Sequence, residues 1–106
     1  MLNKRNRRPT HPGEIIREDV LPGLGVSQGN FAEMLGVSRR TVVELVAERR
    51  SISSDMAIRL AHVLGTTPES WLNMQIAVDL WDELQKHGRE YSSLRRAPVA
   101  AAMTAR

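Results

Sequence analysis

Apolar residues recur along this chain at the three-to-four-residue spacing that places them on one face of an α-helix. Ile15, Ile16 and Val20 make the first such set, and Phe31, Ala32 and Leu35 the second. Val42, Leu45 and Val46 make the third, and Ala57, Leu60, Ala61 and Leu64 the fourth. A fifth and longer set runs from Trp71 to Leu84. The residues between these sets start and stop helices. Pro12 suits a first helical position, where its missing N–H is not needed, and Glu14 follows it at the positive end of the helix dipole. Ser27, Ser38 and Ser53 each stand where a hydroxyl accepts a hydrogen bond from a free N–H of the first turn. Thr67-Pro68-Glu69 combines a cap, a proline and an acid. Pro22, Gly23 and Gly25 are expected to end the first helix, and Gly36, Gly65 and Gly88 to end the second, fourth and fifth. The pattern therefore predicts five helices and an all-α fold.

Two of these helices are close-set. Ser27 to Leu35 and Ser38 to Glu48 are separated only by Gly36-Val37, and Ala32 is small enough for the pair to approach closely. This is the outline of a helix-turn-helix, whose second helix lies in the DNA major groove. With Val42, Leu45 and Val46 turned inward, Arg39, Arg40, Val43, Glu44 and Ala47 face outward. Arg39 and Arg40 occupy the first turn, the end that enters the groove most deeply. Arginine donates two hydrogen bonds to O6 and N7 of guanine, worth about 1–3 kcal/mol of discrimination. Val43 is placed for a thymine methyl. Glu44 either accepts from a cytosine amino group or holds Arg40, its i−4 neighbour; the orienting role is favoured, because phosphates repel a carboxylate. Gln28, at the first position of the preceding helix, is a candidate phosphate contact, as are Ser38, Thr41, Arg49 and Arg50. For each of these, plain surface solvation is the competing reading.

The fifth helix, about 68–86, carries a wider apolar surface than a small monomer needs. Trp71, Leu72, Met74, Ile76, Ala77, Val78, Leu80, Trp81 and Leu84 spread over roughly two thirds of its circumference. Only Gln75, Asp79, Asp82, Glu83 and Lys86 form a polar strip. Two contact faces follow, one for its own core and one for a second copy of the chain, with Trp71, Met74, Ile76, Val78, Leu80, Trp81 and Leu84 as candidate dimerisation residues. A helix buried deep in its own domain is the alternative. The acidic strip is either solvated or meets a basic protein.

Charge sharpens the picture. The net charge of the 106-residue chain is +3, but it is unevenly placed. Residues 1–13 carry Lys4, Arg5, Arg7 and Arg8 and no acid; residues 14–86 carry seven basic and eleven acidic side chains; the rest has four Arg and one Glu. The body is mildly acidic, so DNA affinity has to come from a local cluster and the ends. Residues 1–10 are expected to form a flexible basic arm, either solubilising or in contact with nucleic acid; 11–88 the domain; and 89–106 a mobile tail. There is no cysteine, no apolar run of membrane-spanning length and no signal peptide, which fits a cytoplasmic setting. Catalytic patterns are missing. His11, His62 and His87 share no ligand spacing, and His62 is expected beside the core stripe as a structural residue. Neither a phosphate loop nor a nucleophile elbow occurs, so no enzyme activity, metal or cofactor is expected.

Longer segments carry a resemblance. His11-Pro-Gly-Glu-Ile-Ile-Arg-Glu, Gly36-Val-Ser-Arg-Arg-Thr-Val, Arg49-Arg50 with Ile52-Ser-Ser-Asp-Met-Ala-Ile-Arg-Leu, and Gly65-Thr-Thr-Pro-Glu-Ser-Trp-Leu-Asn-Met-Gln resemble the HigA-type (VapI-type) antitoxins of the Xre family. The match spans about residues 11–86. It implies a five-helix, phage-repressor-like helix-turn-helix domain that dimerises on a palindromic operator of its own operon. It also implies a HigB-type toxin partner, a small basic ribonuclease acting on ribosome-bound messenger RNA. By this resemblance Gln28, Ser38, Arg39, Arg40, Thr41 and Glu44 occupy the DNA-facing positions. The recognition helix is more basic than the glutamine-rich helices of phage repressors, which favours guanine-containing half-sites. The arm and the tail fall outside the resemblance. A stand-alone Xre-type regulator with no toxin is the alternative.

Overall fold

A computed structural model describes residues 7–99 of the chain. Helix α1 consists of three consecutive segments: an α turn Pro12–Ile15, a π turn Ile16–Val20 and an α turn Leu21–Leu24. Then follow α2 (Gln28–Leu35), α3 (Arg39–Val46), α4 (Ser54–Leu64) and α5 (Pro68–Ser92). The core is one cluster to which every helix contributes: Ile16, Phe31, Leu35, Val42, Leu45, Met56, Leu60 and Trp71 are all buried. These are the periodic positions of the sequence, and burying each large apolar side chain contributes about 1.5–3 kcal/mol.

The caps form as the serines predict. Ser27 accepts from Asn30 N–H, Ser38 from Thr41 N–H and Ser53 from Met56 N–H, each at 3.1 Å. Thr67 accepts from Ser70 N–H at 3.2 Å. The cap of α1 is a histidine: buried His11 accepts Gly13 N–H at Nδ1, 2.9 Å away. Gly13 is required for a packing reason. A Cβ there would overlap the carbonyl oxygen of Leu45, so only glycine lets α1 cross this close to α3.

Three expected boundaries move. Pro22 and Gly23 lie inside α1, which ends at Gly25 with φ 66°. A proline in an α-helix collides with the carbonyl four residues back and lacks a donor. Here the preceding turn is widened, with Leu21 N–H bonded to the carbonyl of Ile16, five residues back, which relieves that crowding. Similarly, α5 does not stop at Gly88. It bends at His87 (φ −128°, ψ 19°) and continues to Ser92. A side chain spans the bend, Tyr91 donating to Glu83 at 2.7 Å, and beyond it Ser92 donates to the carbonyl of Gly88 at 2.9 Å. The root of the arm is not loose either. Arg8 donates two hydrogen bonds of 2.9 Å to Asp82 on α5 and one of 3.1 Å to Glu48. The arm's first six residues and the alanine-rich end from residue 100 lie outside the described residues.

Helix α5 sorts the residues expected to dimerise. Trp71 and Val78 belong to the chain's own core, 4% and 1% exposed, and the Trp71 indole donates to Thr66 at 2.8 Å. Met74 is half-buried against the core and Trp81 is half-buried as well. Ile76, Leu80 and Leu84 are more than half exposed, and their i, i+4, i+8 spacing makes one apolar strip. Gln75, expected in the polar strip, is buried: its carbonyl accepts Ile52 N–H and its amide donates to Asp79, both at 2.9 Å. Among the described residues, no helix is long and apolar enough to cross a membrane.

Candidate nucleic-acid interface

The turn between α2 and α3 is fixed from both ends. Gly36 takes φ 72°, the left-handed conformation a non-glycine residue adopts only with strain, and Val37 N–H bonds back to the carbonyl of Ala32 at 3.0 Å. From α4, Arg59 donates to the carbonyls of Leu35 (2.9 Å) and Gly36 (3.3 Å) while its Nε bonds Asp55. These carbonyls have no partner within α2, and a guanidinium between them sets the angle at which α3 leaves. Val42 and Leu45 are fully buried and Val46 nearly so, which fixes the rotation of α3 about its own axis.

That rotation leaves Arg39, Arg40 and Val43 exposed, as the pattern predicts, and Glu44 half-buried. Arg39 passes over Gly29 in the first turn of α2, where a Cβ would stand 3.8 Å from its stem. Half-buried Gln28 occupies the position before Gly29. The hydroxyls of Ser38 and Thr41 are 2.9 Å apart, and Ser38 also caps α3. The guanidinium of Arg40, with its side chain 85% exposed, donates to Glu44 at 3.0 Å. Arg50, beyond the helix, donates to the other oxygen of Glu44 at 2.6 and 3.1 Å. Glu44 therefore orients two arginines, and their hydrogen bonds, Arg50 first and Arg40 second, hold its carboxyl below the usual carboxylate range. Arg49 is exposed beside them.

Sequence reasoning did not find the scaffold behind this face. Glu48 ends the recognition helix with φ 61°, an unusual conformation for a residue with a Cβ. Its carboxylate receives Arg8 at 3.1 Å and Arg17 at 3.3 Å, and Arg17 also donates to the carbonyl of Val46. Alternating apolar positions carry no signal for such pairings, because each joins residues far apart in sequence. His62 is exposed and does not pack on the core stripe. Among the described residues, no group of three or more His, Asp or Glu is placed to hold a metal ion.

The helix-turn-helix family model matches residues 16–72. Antitoxin HigA-1 of Vibrio cholerae is 37% identical over 105 residues, covering 99% of each chain. The chain belongs to the HigA-type antitoxins of the Xre helix-turn-helix family. An uncharacterised helix-turn-helix transcriptional regulator of Escherichia coli, YbaQ, is 38% identical over 105 residues, 99% of this chain and 92% of that protein. Among solved structures, antitoxin GraA in complex with its operator superposes with a TM-score of 0.80 at 45% identity, covering 89% of this chain and 96% of that one. The HigA-type family is one of non-enzymatic DNA-binding proteins.

Proposed function

We propose that this protein is the antitoxin of a type II toxin-antitoxin pair. It binds the operator of its own operon as a homodimer, and it neutralises a HigB-type messenger-RNA-cleaving toxin in the cytoplasm. The observation that carries the DNA half is the outward face of α3. Two arginines sit on its first turn, one of them oriented by Glu44, and the helix is held rigidly by caps and buried apolar residues behind it. Arg39 and Arg40 read base edges, with Val43 beside them; Gln28, Ser38, Thr41, Arg49 and Arg50 take phosphates; Glu44 positions Arg40 and Arg50. The likeness to GraA with its operator supports this use of the face, and the likeness to HigA-1 supports the toxin partner. The exposed strip Ile76, Leu80 and Leu84 supports pairing of two copies through α5, because a continuous apolar row on a small protein gains from being covered. Dimers of this motif present recognition helices to half-sites about one helical turn apart.

The likeness to YbaQ favours a second reading, a transcriptional regulator that works without a toxin. One experiment separates the two. The protein is co-expressed with the product of the reading frame beside its own gene, and its binding to the upstream duplex is measured. Rescue of growth together with operator binding is the expected result. Operator binding with no toxicity from the neighbour leaves the regulator, and binding to neither removes both.

A further inference from the structure

We propose that Glu48 is a positioning residue for DNA recognition, its carboxylate locking the turn that presents Arg49 and Arg50 to phosphate. The inference rests on the DNA-binding reading above. Four of the described residues have positive φ: Gly25, Gly36 and Gly65, at 66°, 72° and 70°, and Glu48, at 61°. The glycines end α1, α2 and α4, and Glu48 ends α3. The backbone at Glu48 closes as at a glycine stop: its N–H bonds the carbonyl of Leu45 at 3.0 Å, and Arg49 N–H that of Glu44 at 2.9 Å. Glycine meets this geometry without strain, whereas a Cβ is crowded against the backbone. At this one stop the chain carries a side chain, and that side chain is tethered.

Glu48 is half-buried, and its two oxygens are held from two parts of the chain. One accepts from Arg8 at 3.1 Å and the other from Arg17 at 3.3 Å. Arg8 is itself forked onto Asp82 of α5 by two bonds of 2.9 Å. Arg17, on α1, also donates to the carbonyl of Val46 in the last turn of α3, at 2.6 Å. The turn is thus pinned to α1 and α5 as well as to α3. Rotation about the Glu48 backbone would swing Arg49 and Arg50 relative to Arg39 and Arg40. With that rotation stopped, and with Arg50 bonded to Glu44 at 2.6 and 3.1 Å, the loop and the first turn of α3 form one rigid face. Phosphate contacts set the register in which base contacts are made. A loop ordered in advance loses little freedom on the operator, where both sets of contacts form together; on other sequences a loose loop serves as well. Glu48 therefore contributes to the choice of sequence without touching DNA.

The test compares the full-length wild type with Glu48→Gly and Glu48→Gln, each well below its thermal melt. The readout is the ratio of two affinities, one for the duplex upstream of its own reading frame and one for a random-sequence duplex of equal length. Both variants lose one negative charge, which strengthens attraction to phosphate on either duplex alike and leaves the ratio unmoved. Glycine keeps the left-handed turn without strain and removes the tether, so the fold should hold. Its ratio should fall about tenfold, the cost of ordering one loop residue on binding. Glutamine keeps one acceptor oxygen, so its ratio should fall less. A wild-type ratio in Glu48→Gly overturns the proposal. So do equal falls in the two variants, which would trace the effect to charge. If Glu48→Gly does not fold, a wild-type ratio in Glu48→Gln overturns the proposal and a lowered one supports it. No preference for the upstream duplex in the wild type itself refutes the DNA-binding reading instead.

Discussion

Helices α3 and α5 both turn one side to the core and one side outward, but their outward sides are built for different partners. On α3 the outward side is cationic, short and held by ion pairs, with Glu44 between Arg40 and Arg50. On α5 it is apolar over three turns, Ile76, Leu80 and Leu84, and carries no polar orienting group of its own. A surface of oriented arginines gains most from an anionic partner whose acceptor atoms are fixed in place. An uncovered apolar row gains from another apolar row, since removal of area from water is non-directional. On the proposed function, the contrast divides the labour of the molecule: one helix reads, the other pairs.

The largest effect is expected where the pairing surface is poisoned. Leu80→Asp places a carboxylate in the middle of the strip. Burying it without a partner costs several kcal/mol, so the dimer should weaken by on the order of a hundredfold or more. Sedimentation at micromolar concentration should show monomer, while the melting temperature stays near wild type because Leu80 is exposed in the single chain. Operator affinity should fall with it, since two half-sites no longer bind together. A Leu80→Asp protein that still sediments as wild type would remove α5 from the pairing surface.

Next comes the reading surface. Arg40→Ala should cost about 1–3 kcal/mol of specific binding and relax preference at one base pair per half-site, leaving the dimer intact. Arg49→Ala should instead weaken all sequences alike and reduce the salt slope by about 1. Footprinting and salt titration on the two variants distinguish base reading from phosphate contact. Identical effects from both would assign Arg40 to the backbone.

The two helices also differ in how far the sequence discloses them. For α3, a capping serine, an eight-residue span and one apolar face leave a single way to rotate the helix, and Arg39, Arg40 and Val43 fall outward as read. On α5 the apolar positions cover most of the circumference, so periodicity cannot choose the inward face. The pattern groups Trp71 and Val78 with residues that the structure leaves outside, and it puts the buried Gln75 in the polar strip. A buried glutamine looks polar in any sequence pattern. What buries it is the N–H of Ile52, a loop donor 23 residues away. Gln75→Leu should therefore destabilise the fold by about 1–2 kcal/mol, because it leaves that N–H unpaired in the interior. The drop should appear in a denaturant midpoint and not in the oligomeric state, which would set the inner face of α5 apart from its outer one. An unchanged midpoint would mean that Ile52 finds water in its place.

The smallest effect lies at His11, where the two regions meet. Its neighbour Gly13 packs on the recognition helix, and the cleft it lines runs between α3's exit and α5. Burial holds the imidazole below its ordinary value, with Arg8 acting in the same direction and Glu48, Asp79 and Asp82 opposing. Nδ1 accepts Gly13 N–H, so protonation there removes the cap of α1. The sign follows from linkage: a histidine depressed in the folded state contributes stability above its unfolded value near 6.5, and that contribution is lost as pH falls below it. Asp82 is depressed by Arg8, so its contribution is lost only at much lower pH, below the unfolded carboxylate value near 3.9. Between pH 7 and pH 5 the wild type should lose up to about 1 kcal/mol, the worth of a helix cap. His11→Asn can still cap and does not titrate, so its stability should be flat across the same window. Parallel losses in both proteins would place the titrating group elsewhere and would leave the junction of the two helices insensitive to acid.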